Sequence, residues 1–244
     1  MTVHTNCDCV ILRLAEKTEK AELGIYLDGK LVRTKELVAD VTRFGDWSIC
    51  LVMIPTKNTK EITLTAESGE VFIDSFEKWS GDYAVVNCGV GSCMAGRYKE
   101  EYLPSLITEF SDVIFVAEVH TINNWIWGET KDTYRKDLSE MLDIMKNNSE
   151  VLMAITVTPI LHDEPVKGVN ATDFYEKFVD VSYEVIKEKN IPIIDAHKVF
   201  AEKIKGKTPE ELVGTLYGDR MHPRQPGYDL YAKLIIEKLR SVLK

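Results

Sequence analysis

The sequence has few cysteines and no long apolar run, and each shortage excludes a class of protein. Its 244 residues include five cysteines, an odd number that argues against a disulfide framework and favours reduced thiols. No apolar run reaches the roughly 18 residues that a membrane span requires. The first residues form neither the basic nor the apolar segment of a signal peptide. We therefore expect a cytoplasmic protein with no membrane partner.

Basic side chains are also in short supply. The chain has 30 lysines and arginines against 39 aspartates and glutamates, which gives a formal net charge of −9. A protein of this sign repels phosphate backbones, so we expect no nucleic-acid partner. Hydrophobic residues at 45% and charged residues at 28% are typical of globular proteins, which excludes a disordered or fibrous chain.

The motifs of common cofactor-binding proteins are missing as well. The sequence contains no G-x-G-x-x-G, Walker A, H-E-x-x-H or EF-hand pattern. Cys7-x-Cys9 lacks the two-residue interval of zinc knuckles, and we expect both side chains to pack as small hydrophobic groups on one face of a strand. We accordingly predict no cofactor and no metal ion.

The apolar pattern changes near residue 80. Before that point, short β-type runs are separated by turn residues, and Asp28-Gly29 between two such runs indicates a tight hairpin. After it, apolar strands alternate with helical stripes, which is typical of a mostly parallel sheet covered by helices on both faces. We predict an antiparallel β-sandwich over residues 1–80 and an α/β domain over residues 81–244. The predicted strands of the α/β domain are residues 83–86, 112–117, 151–157 and 191–194.

Apolar stripes at helical spacing mark three helices, within residues 134–145, 174–185 and 231–242. Thr208-Pro209-Glu210-Glu211 has the spacing of a capping box with proline at the first helical position, which indicates the start of a short helix. Ligands of parallel α/β sheets bind at the carboxyl ends of the strands. The loops that follow the four predicted strands are therefore where we expect the functional site.

The clearest chemical signal precedes the last predicted helix, in Tyr217-Gly218-Asp219-Arg220-Met221-His222-Pro223. An aspartate three residues before a histidine can hold Nδ1 of the imidazole and leave Nε2 free as a general base. Hydrolase triads divide the work between aspartate and histidine in the same way. Asp219 and His222 are therefore candidate catalytic residues.

This segment resembles the last sequence block of the SGNH (GDSL-type) hydrolases, a family of esterases and acylhydrolases. Two earlier stretches resemble family blocks in the same order. Asn87-Cys88-Gly89 resembles the N-x-G turn whose glycine amide lines the oxyanion hole. Thr121-Ile122-Asn123-Asn124 resembles the G-x-N-D block, with Asn123 at the position of a further oxyanion donor. The resemblance covers about residues 82–244 and implies a flavodoxin-like three-layer α/β fold, which some members precede with a small β-sandwich.

The family's nucleophile block, G-D-S-L, does not stand in the sequence, and the segment before Tyr83 is too short for another strand and helix. Gly91-Ser92-Cys93-Met94-Ala95-Gly96 is the stretch that resembles it. This makes Ser92 the candidate nucleophile and adds the Gly91 amide to the Gly89 amide in the candidate oxyanion hole. Serine at such a position is equally typical of a helix N-cap, so both interpretations of Ser92 stay open.

The resemblance implies a serine esterase that acts on a small acyl ester, including an O-acetylated carbohydrate. His120, Asn124 and Trp125, in the loop of the third block, are candidate substrate-binding residues, although packing of Trp125 beneath the loop is an equal alternative. His197 is expected to be structural. A second hypothesis keeps the fold without the chemistry and makes the chain a glycan-binding protein. A third hypothesis places the nucleophile on a second chain or a partner segment, and the sequence leaves the oligomeric state open.

Overall fold

The structure is a computed structural model that describes residues 1–17, 19–38, 47–81, 84–89, 93–110, 113–119, 122–161, 165–166 and 169–243. The chain divides into two compact units. The first comprises Met1–Gly89 with Thr108–Phe110, and the second comprises Val90–Ile107 with Ser111–Lys244. The sequence suggested a boundary after residue 80, whereas these units divide after Gly89.

The first unit contains two antiparallel sheets, with strand orders β1-β6-β3-β4 and β5-β2-β7. Its strands are β1 (Thr2–His4), β2 (Cys9–Lys17), β3 (Ala21–Leu27), β4 (Lys30–Leu37), β5 (Trp47–Pro55), β6 (Glu61–Ser68) and β7 (Phe72–Trp79). Alternate residues of β2 and β3, among them Val10, Leu12, Leu23 and Ile25, are buried in one apolar core. The period of two follows from the pleat of a strand, which points successive side chains to opposite faces.

The hairpin predicted at Asp28-Gly29 is confirmed. These two residues connect β3 to β4, whose pairing ends at Leu27 and Lys30. Their φ angles are 47° and 78°, so both turn positions are left-handed. Aspartate and glycine tolerate this conformation better than most residues, which is why this dipeptide identifies the turn.

A buried carboxylate ties the segment Thr108–Phe110 into the first unit. The side chain of Glu109 is 1% exposed and accepts hydrogen bonds of 2.7 Å from both terminal nitrogens of Arg33. It also accepts the backbone N–H of Met53 at 2.8 Å, and Lys35 Nζ lies 3.9 Å away. Burial of a charge is costly unless the charge is paired, and this carboxylate has several partners.

The second unit contains a three-stranded parallel sheet of order β12-β9-β8. The elements that follow β7 are α1 (Ala95–Arg97), a π-helical turn (Tyr98–Tyr102), α2 (Leu103–Glu109), β8 (Ile114–Val119), α3 (Ile122–Ile126), α4 (Lys131–Asn147), β9 (Val151–Thr156), β10 (Pro165–Val166), β11 (Val169–Asn170), α5 (Ala171–Glu188), β12 (Ile193–Ile194), α6 (Ala196–Ile204), α7 (Pro209–Leu212) and α8 (Gln225–Val242).

Helices cover both faces of this sheet. Leu152 and Ala154 of β9 point into a core shared with α4 and α5, whereas Met153 and Ile155 point to the opposite face, where α8 packs. The predicted stripe of α4 is buried at Tyr134, Leu138, Met141, Leu142 and Met145. The three-layer α/β fold class predicted from the sequence is confirmed.

The buried strand predicted at residues 83–86 is wrong where the structure describes it. Residues 84–89 contain no strand, and Val85 is 77% exposed. An apolar run becomes a strand only when a neighbouring strand supplies hydrogen-bond partners. Here the segment makes a different contact, since the carbonyl of Asn87 accepts a hydrogen bond from Arg13 Nη2 at 3.1 Å.

Three properties of the described residues bear on function. None of their helices is long and apolar enough to cross a membrane. All five cysteines carry thiols. Within the described ranges, no group of three or more histidine, cysteine, aspartate or glutamate side chains has the arrangement of a metal site.

Candidate active site

Asp219 and His222 lie at the tip of a small hairpin formed by residues 216–224, which we call the DxxH hairpin. Tyr217 pairs with Pro223 across its two arms. The N–H of Gly218 donates to the carbonyl of His222 at 2.7 Å, and the N–H of Arg224 donates to the carbonyl of Leu216 at 3.0 Å. These backbone bonds hold the two arms of the hairpin together.

The carboxylate of Asp219 holds His222 through both of its oxygens. Oδ2 lies 2.8 Å from Nδ1 of the imidazole, and Oδ1 accepts the backbone N–H groups of Met221 at 2.6 Å and His222 at 2.7 Å. An ionised carboxylate only accepts hydrogen bonds, so Nδ1 must carry the proton. This leaves Nε2 as the acceptor, on a side chain that is 64% exposed. The pair therefore has the orientation that a general base requires.

The environment of Asp219 favours its charged form. Partial burial alone would raise the pKa of this carboxyl, but the backbone N–H of His222, its ring and the backbone N–H of Met221 all stabilise the anion. The balance holds the pKa of Asp219 below its usual range. An ionised Asp219 can both select the Nδ1–H tautomer of His222 and stabilise the imidazolium that forms when Nε2 takes a proton.

The DxxH hairpin is held beside the residues that follow β9. The hydroxyl of Tyr217, a fully buried side chain, donates to the carbonyl of Pro159 at 2.9 Å. The N–H of Leu161 donates to the carbonyl of Arg220 at 2.7 Å. Since β9 ends at Thr156, both bonds place the hairpin at the carboxyl end of the parallel sheet, where ligands of such folds bind.

Helix α8 approaches the DxxH hairpin closely at Gly227. A Cβ atom at this position would lie 2.7 Å from the Cβ of Pro223 and 2.8 Å from the carbonyl oxygen of Leu216. Both distances are shorter than van der Waals contact. The absence of a side chain at Gly227 therefore lets the helix support both arms of the hairpin.

Asn123 contacts the residue that follows the candidate nucleophile in the chain. It lies in the first turn of α3, and its Nδ2 donates to the carbonyl of Cys93 at 3.1 Å. One hydrogen of the amide group is used in this bond, and among the residues that the structure describes no acceptor is seen for the second. Ser92 itself, together with Gly91 and His120, lies outside the described residues.

The remaining predicted site residues have other partners. The N–H of Gly89 donates to Oδ1 of Asn87 at 2.9 Å. Asn124 is fully buried, and its Nδ2 donates to Glu129 Oε2 at 2.6 Å. Trp125 is also buried, with its ring centroid 6.2 Å from that of Tyr175. Asn124 and Trp125 are therefore both buried, and their assignment as substrate-binding residues stays a prediction.

One groove of the described residues lies away from the DxxH hairpin. A groove of about 480 Å³ lies between the π-helical turn and α4. Its lining residues are Lys99, Glu100, Glu140, Asp143 and Ile144. None of them belongs to the DxxH hairpin or to α3, so the candidate site is identified by its hydrogen bonds.

Comparisons with known proteins support the fold. No family model matches the chain, and no curated protein matches it. Among solved structures, the YxiM protein of Bacillus subtilis matches with a TM-score of 0.55 and 16% identity, over 98% of this chain and 79% of that one. A catalytic mutant of Axe2, an acetylxylan esterase from Geobacillus stearothermophilus, matches with a TM-score of 0.51 and 16% identity, over 63% and 71% of the two chains.

The chain has the SGNH hydrolase fold. The match to YxiM extends over nearly the whole chain and therefore includes the antiparallel sheets of the first unit as well as the α/β unit. At this level of identity the similarity concerns the fold alone.

Tyr217 is a site residue that the sequence did not single out as functional, although it stands in the D-x-x-H segment. Its partner Pro159 lies 58 residues earlier in the chain, so no local spacing indicates the contact. The sequence shows only that an aromatic residue stands two positions before Asp219. From its pattern alone, such a residue is assigned to the core.

Proposed function

We propose that the chain is a serine esterase of the SGNH type that hydrolyses a small acyl ester. Ser92 attacks the ester carbonyl while Nε2 of His222 takes the hydroxyl proton, and Asp219 stabilises the resulting imidazolium. The alcohol leaves with that proton, and water then hydrolyses the acyl-serine with His222 as base. The observation that supports this proposal best is the Asp219–His222 pair, oriented through both carboxylate oxygens at the carboxyl end of the sheet.

The proposed oxyanion hole consists of the Asn123 side chain and the Gly91 amide. The contact between Asn123 and Cys93 supports this choice, because it links the amide to the residue next to Ser92. The Gly89 amide, the third candidate, is bonded to Asn87 and would have to leave that bond to reach an oxyanion. Each preorganised donor in such a site contributes about 3–4 kcal/mol to the stabilisation of the transition state.

We propose acetylated carbohydrates as the substrate class. Axe2, whose fold this chain shares, is an acetylxylan esterase. Its catalytic mutants include one that replaces a serine and one that replaces an aspartate with alanine, which are the residue types proposed here for nucleophile and orienting acid. No metal or cofactor is needed for this chemistry.

Ser92→Ala, assayed on p-nitrophenyl acetate, tests the proposal. We expect turnover to fall by about 10⁴-fold or more, as when a triad member is removed from other serine hydrolases. Ser105→Ala is the matched control, since the Ser105 hydroxyl donates to the local carbonyl of Tyr102 and its loss should leave turnover unchanged. Labelling by a fluorophosphonate should modify Ser92 in the unchanged protein.

Two outcomes would contradict the proposal. Unchanged turnover in Ser92→Ala would remove Ser92 from the mechanism and favour a nucleophile from a second chain, which loss of activity on dilution would reveal. An unreactive serine in the unchanged protein, combined with saturable binding of sugars, would favour the glycan-binding hypothesis.

A further inference from the structure

Four consecutive carbonyl groups, at the last residue of β9 and just after it, accept hydrogen bonds from side chains. They belong to residues 156–159, a buried segment that we call the carbonyl run. The bonds are Tyr231 Oη to Thr156 at 3.4 Å, His197 Nδ1 to Val157 at 3.0 Å, Tyr175 Oη to Thr158 at 3.1 Å and Tyr217 Oη to Pro159 at 2.9 Å. Each carbonyl thus has a donor from a different element.

The physical reason for this arrangement is that the backbone hydrogen bonds between β9 and its neighbouring strands come to an end. Strand β9 pairs with β8 and β12 only as far as Thr156, and the chain continues into a buried region after it. A buried carbonyl without a partner is costly, so side chains replace the missing strands. Because the donors come from packed elements, the carbonyl run has little freedom to move.

One of these four donors belongs to the DxxH hairpin. Tyr231 lies on α8, Tyr175 on α5 and His197 on α6, whereas Tyr217 stands two residues before Asp219. The Tyr217 hydroxyl fixes the hairpin to the carbonyl run before Asp219, and the bond from Leu161 N–H, just beyond the run, to the Arg220 carbonyl holds it after Asp219.

The Tyr217 hydroxyl keeps its proton throughout the working pH range. Burial raises the pKa of this phenol well above its ordinary value. Its ring also meets Phe200 edge-on, with centroids 6.2 Å apart, which holds the phenol in place. The donor to Pro159 is therefore permanent and has a fixed direction.

We propose that Tyr217 is a positioning residue, whose hydroxyl bond to Pro159 holds the DxxH hairpin in register with β9 and so fixes His222 for proton transfer. The catalytic consequence rests on the proposed function, whereas the orientation of His222 does not. A misplacement of reacting groups by about 1 Å can lower rates by about 10²-fold, so one buried hydrogen bond can matter for turnover.

Tyr217→Phe tests this proposal, with Tyr175→Phe as the matched control. Both substitutions remove the hydroxyl of a fully buried tyrosine that donates to the carbonyl run, but Tyr175 lies on α5 and not on the hairpin. We expect both variants to melt about 2–5 °C below the unchanged protein. Tyr217→Phe alone should lower kcat on p-nitrophenyl acetate, by about tenfold, with KM unchanged.

A second measurement is independent of activity. Long-range ¹H–¹⁵N NMR of the imidazole reports which ring nitrogen of His222 carries the proton, and a His222→Gln sample assigns the signals. We expect the Nδ1–H tautomer in the unchanged protein and in Tyr175→Phe, and a mixture of tautomers in Tyr217→Phe. An unaltered tautomer together with an unaltered kcat in Tyr217→Phe would overturn the proposal. If the unchanged protein has no esterase activity, the proposed function fails while the tautomer still decides the role of Tyr217.

Discussion

The two units of the chain bury polar groups in different ways. In the first unit, the Glu109 carboxylate is buried as a charge and neutralised by Arg33 and Lys35. In the second unit, the carbonyl run is buried as a row of neutral acceptors and satisfied by three tyrosines and a histidine. The charged cluster links separate segments of the first unit, whereas the carbonyl run is linked through Tyr217 to the hairpin that carries the candidate base. The buried polar groups of the second unit therefore include one that contacts the candidate active site.

This contrast predicts that substitutions in the charged cluster of the first unit change mainly stability, whereas substitutions of neutral donors in the second unit change mainly activity. Removing a partner from a buried ion pair exposes the other charge to an apolar surrounding, which costs several kcal/mol of stability. Disturbing a neutral donor costs less stability, but it can displace catalytic groups. Substitutions in the two clusters should accordingly differ in which quantity they change.

The largest effect on activity should come from Asp219→Asn. The amide cannot accept from Nδ1 through its NH₂ group, so His222 loses the tautomer that leaves Nε2 free. We expect kcat on p-nitrophenyl acetate to fall by about 10⁴-fold, equivalent to about 5 kcal/mol. Asp229→Asn is the control, because Asp229 accepts from Gln225 on the surface of α8. Retention of a tenth or more of the activity by Asp219→Asn would show that Asp219 does not orient the catalytic base.

Asn123→Ala should have the next largest effect. Loss of one oxyanion donor lowers kcat by about 10²–10³-fold, with a smaller change in KM. Asn148→Ala provides the comparison, since Asn148 also donates its side-chain amide to a backbone carbonyl, that of Ile144 at 2.8 Å. Equal activities of the two variants would show that Asn123 only supports the local structure around Cys93.

Glu109→Ala should change stability and leave activity intact. The variant leaves the Arg33 guanidinium and the Met53 N–H without their carboxylate partner. Arg33 is about one third exposed, so water replaces part of the lost interaction, and we expect a loss of about 2–3 kcal/mol in the free energy of unfolding. Glu188→Ala, which removes an exposed partner of Arg135, should change the stability much less, because water and salt screen an exposed ion pair. A lower kcat in folded Glu109→Ala would contradict the separation between the units.

Features that depend on neighbouring residues were predictable from the sequence. The Asp28-Gly29 hairpin needs only two left-handed residues, and the capping box at Thr208 and Glu211 is present with both reciprocal hydrogen bonds. The Asp219–His222 pair also belongs to this group, because three residues separate its members and a tight turn brings them together. Such signals depend on spacing alone, which a sequence records directly.

Features that depend on distant partners were not predictable. The bond between Tyr217 and Pro159 and the ion pair between Arg33 and Glu109 join residues 58 and 76 positions apart. The same limit explains the wrong strand at residues 84–86, because an apolar run does not reveal whether another strand lies beside it. The Asp219–His222 pair could therefore be predicted from the sequence, but the groups that hold its hairpin in place could not.

The smallest predicted effect concerns the pH dependence of stability at Asp219. The pKa of this carboxyl is lower in the folded chain than in the unfolded chain, where it is about 3.9. Its contribution is therefore fully present above about pH 4 and is lost as the pH falls through the lower folded value. Asp219 is more than half exposed, so the contribution stays below about 1 kcal/mol. Denaturant unfolding of the unchanged protein and of Asp219→Asn should show a stability difference at neutral pH that narrows towards pH 3. A difference that stays constant over this range would show that the ionisation of Asp219 contributes nothing to stability, which would make the contrast with Glu109 sharper still.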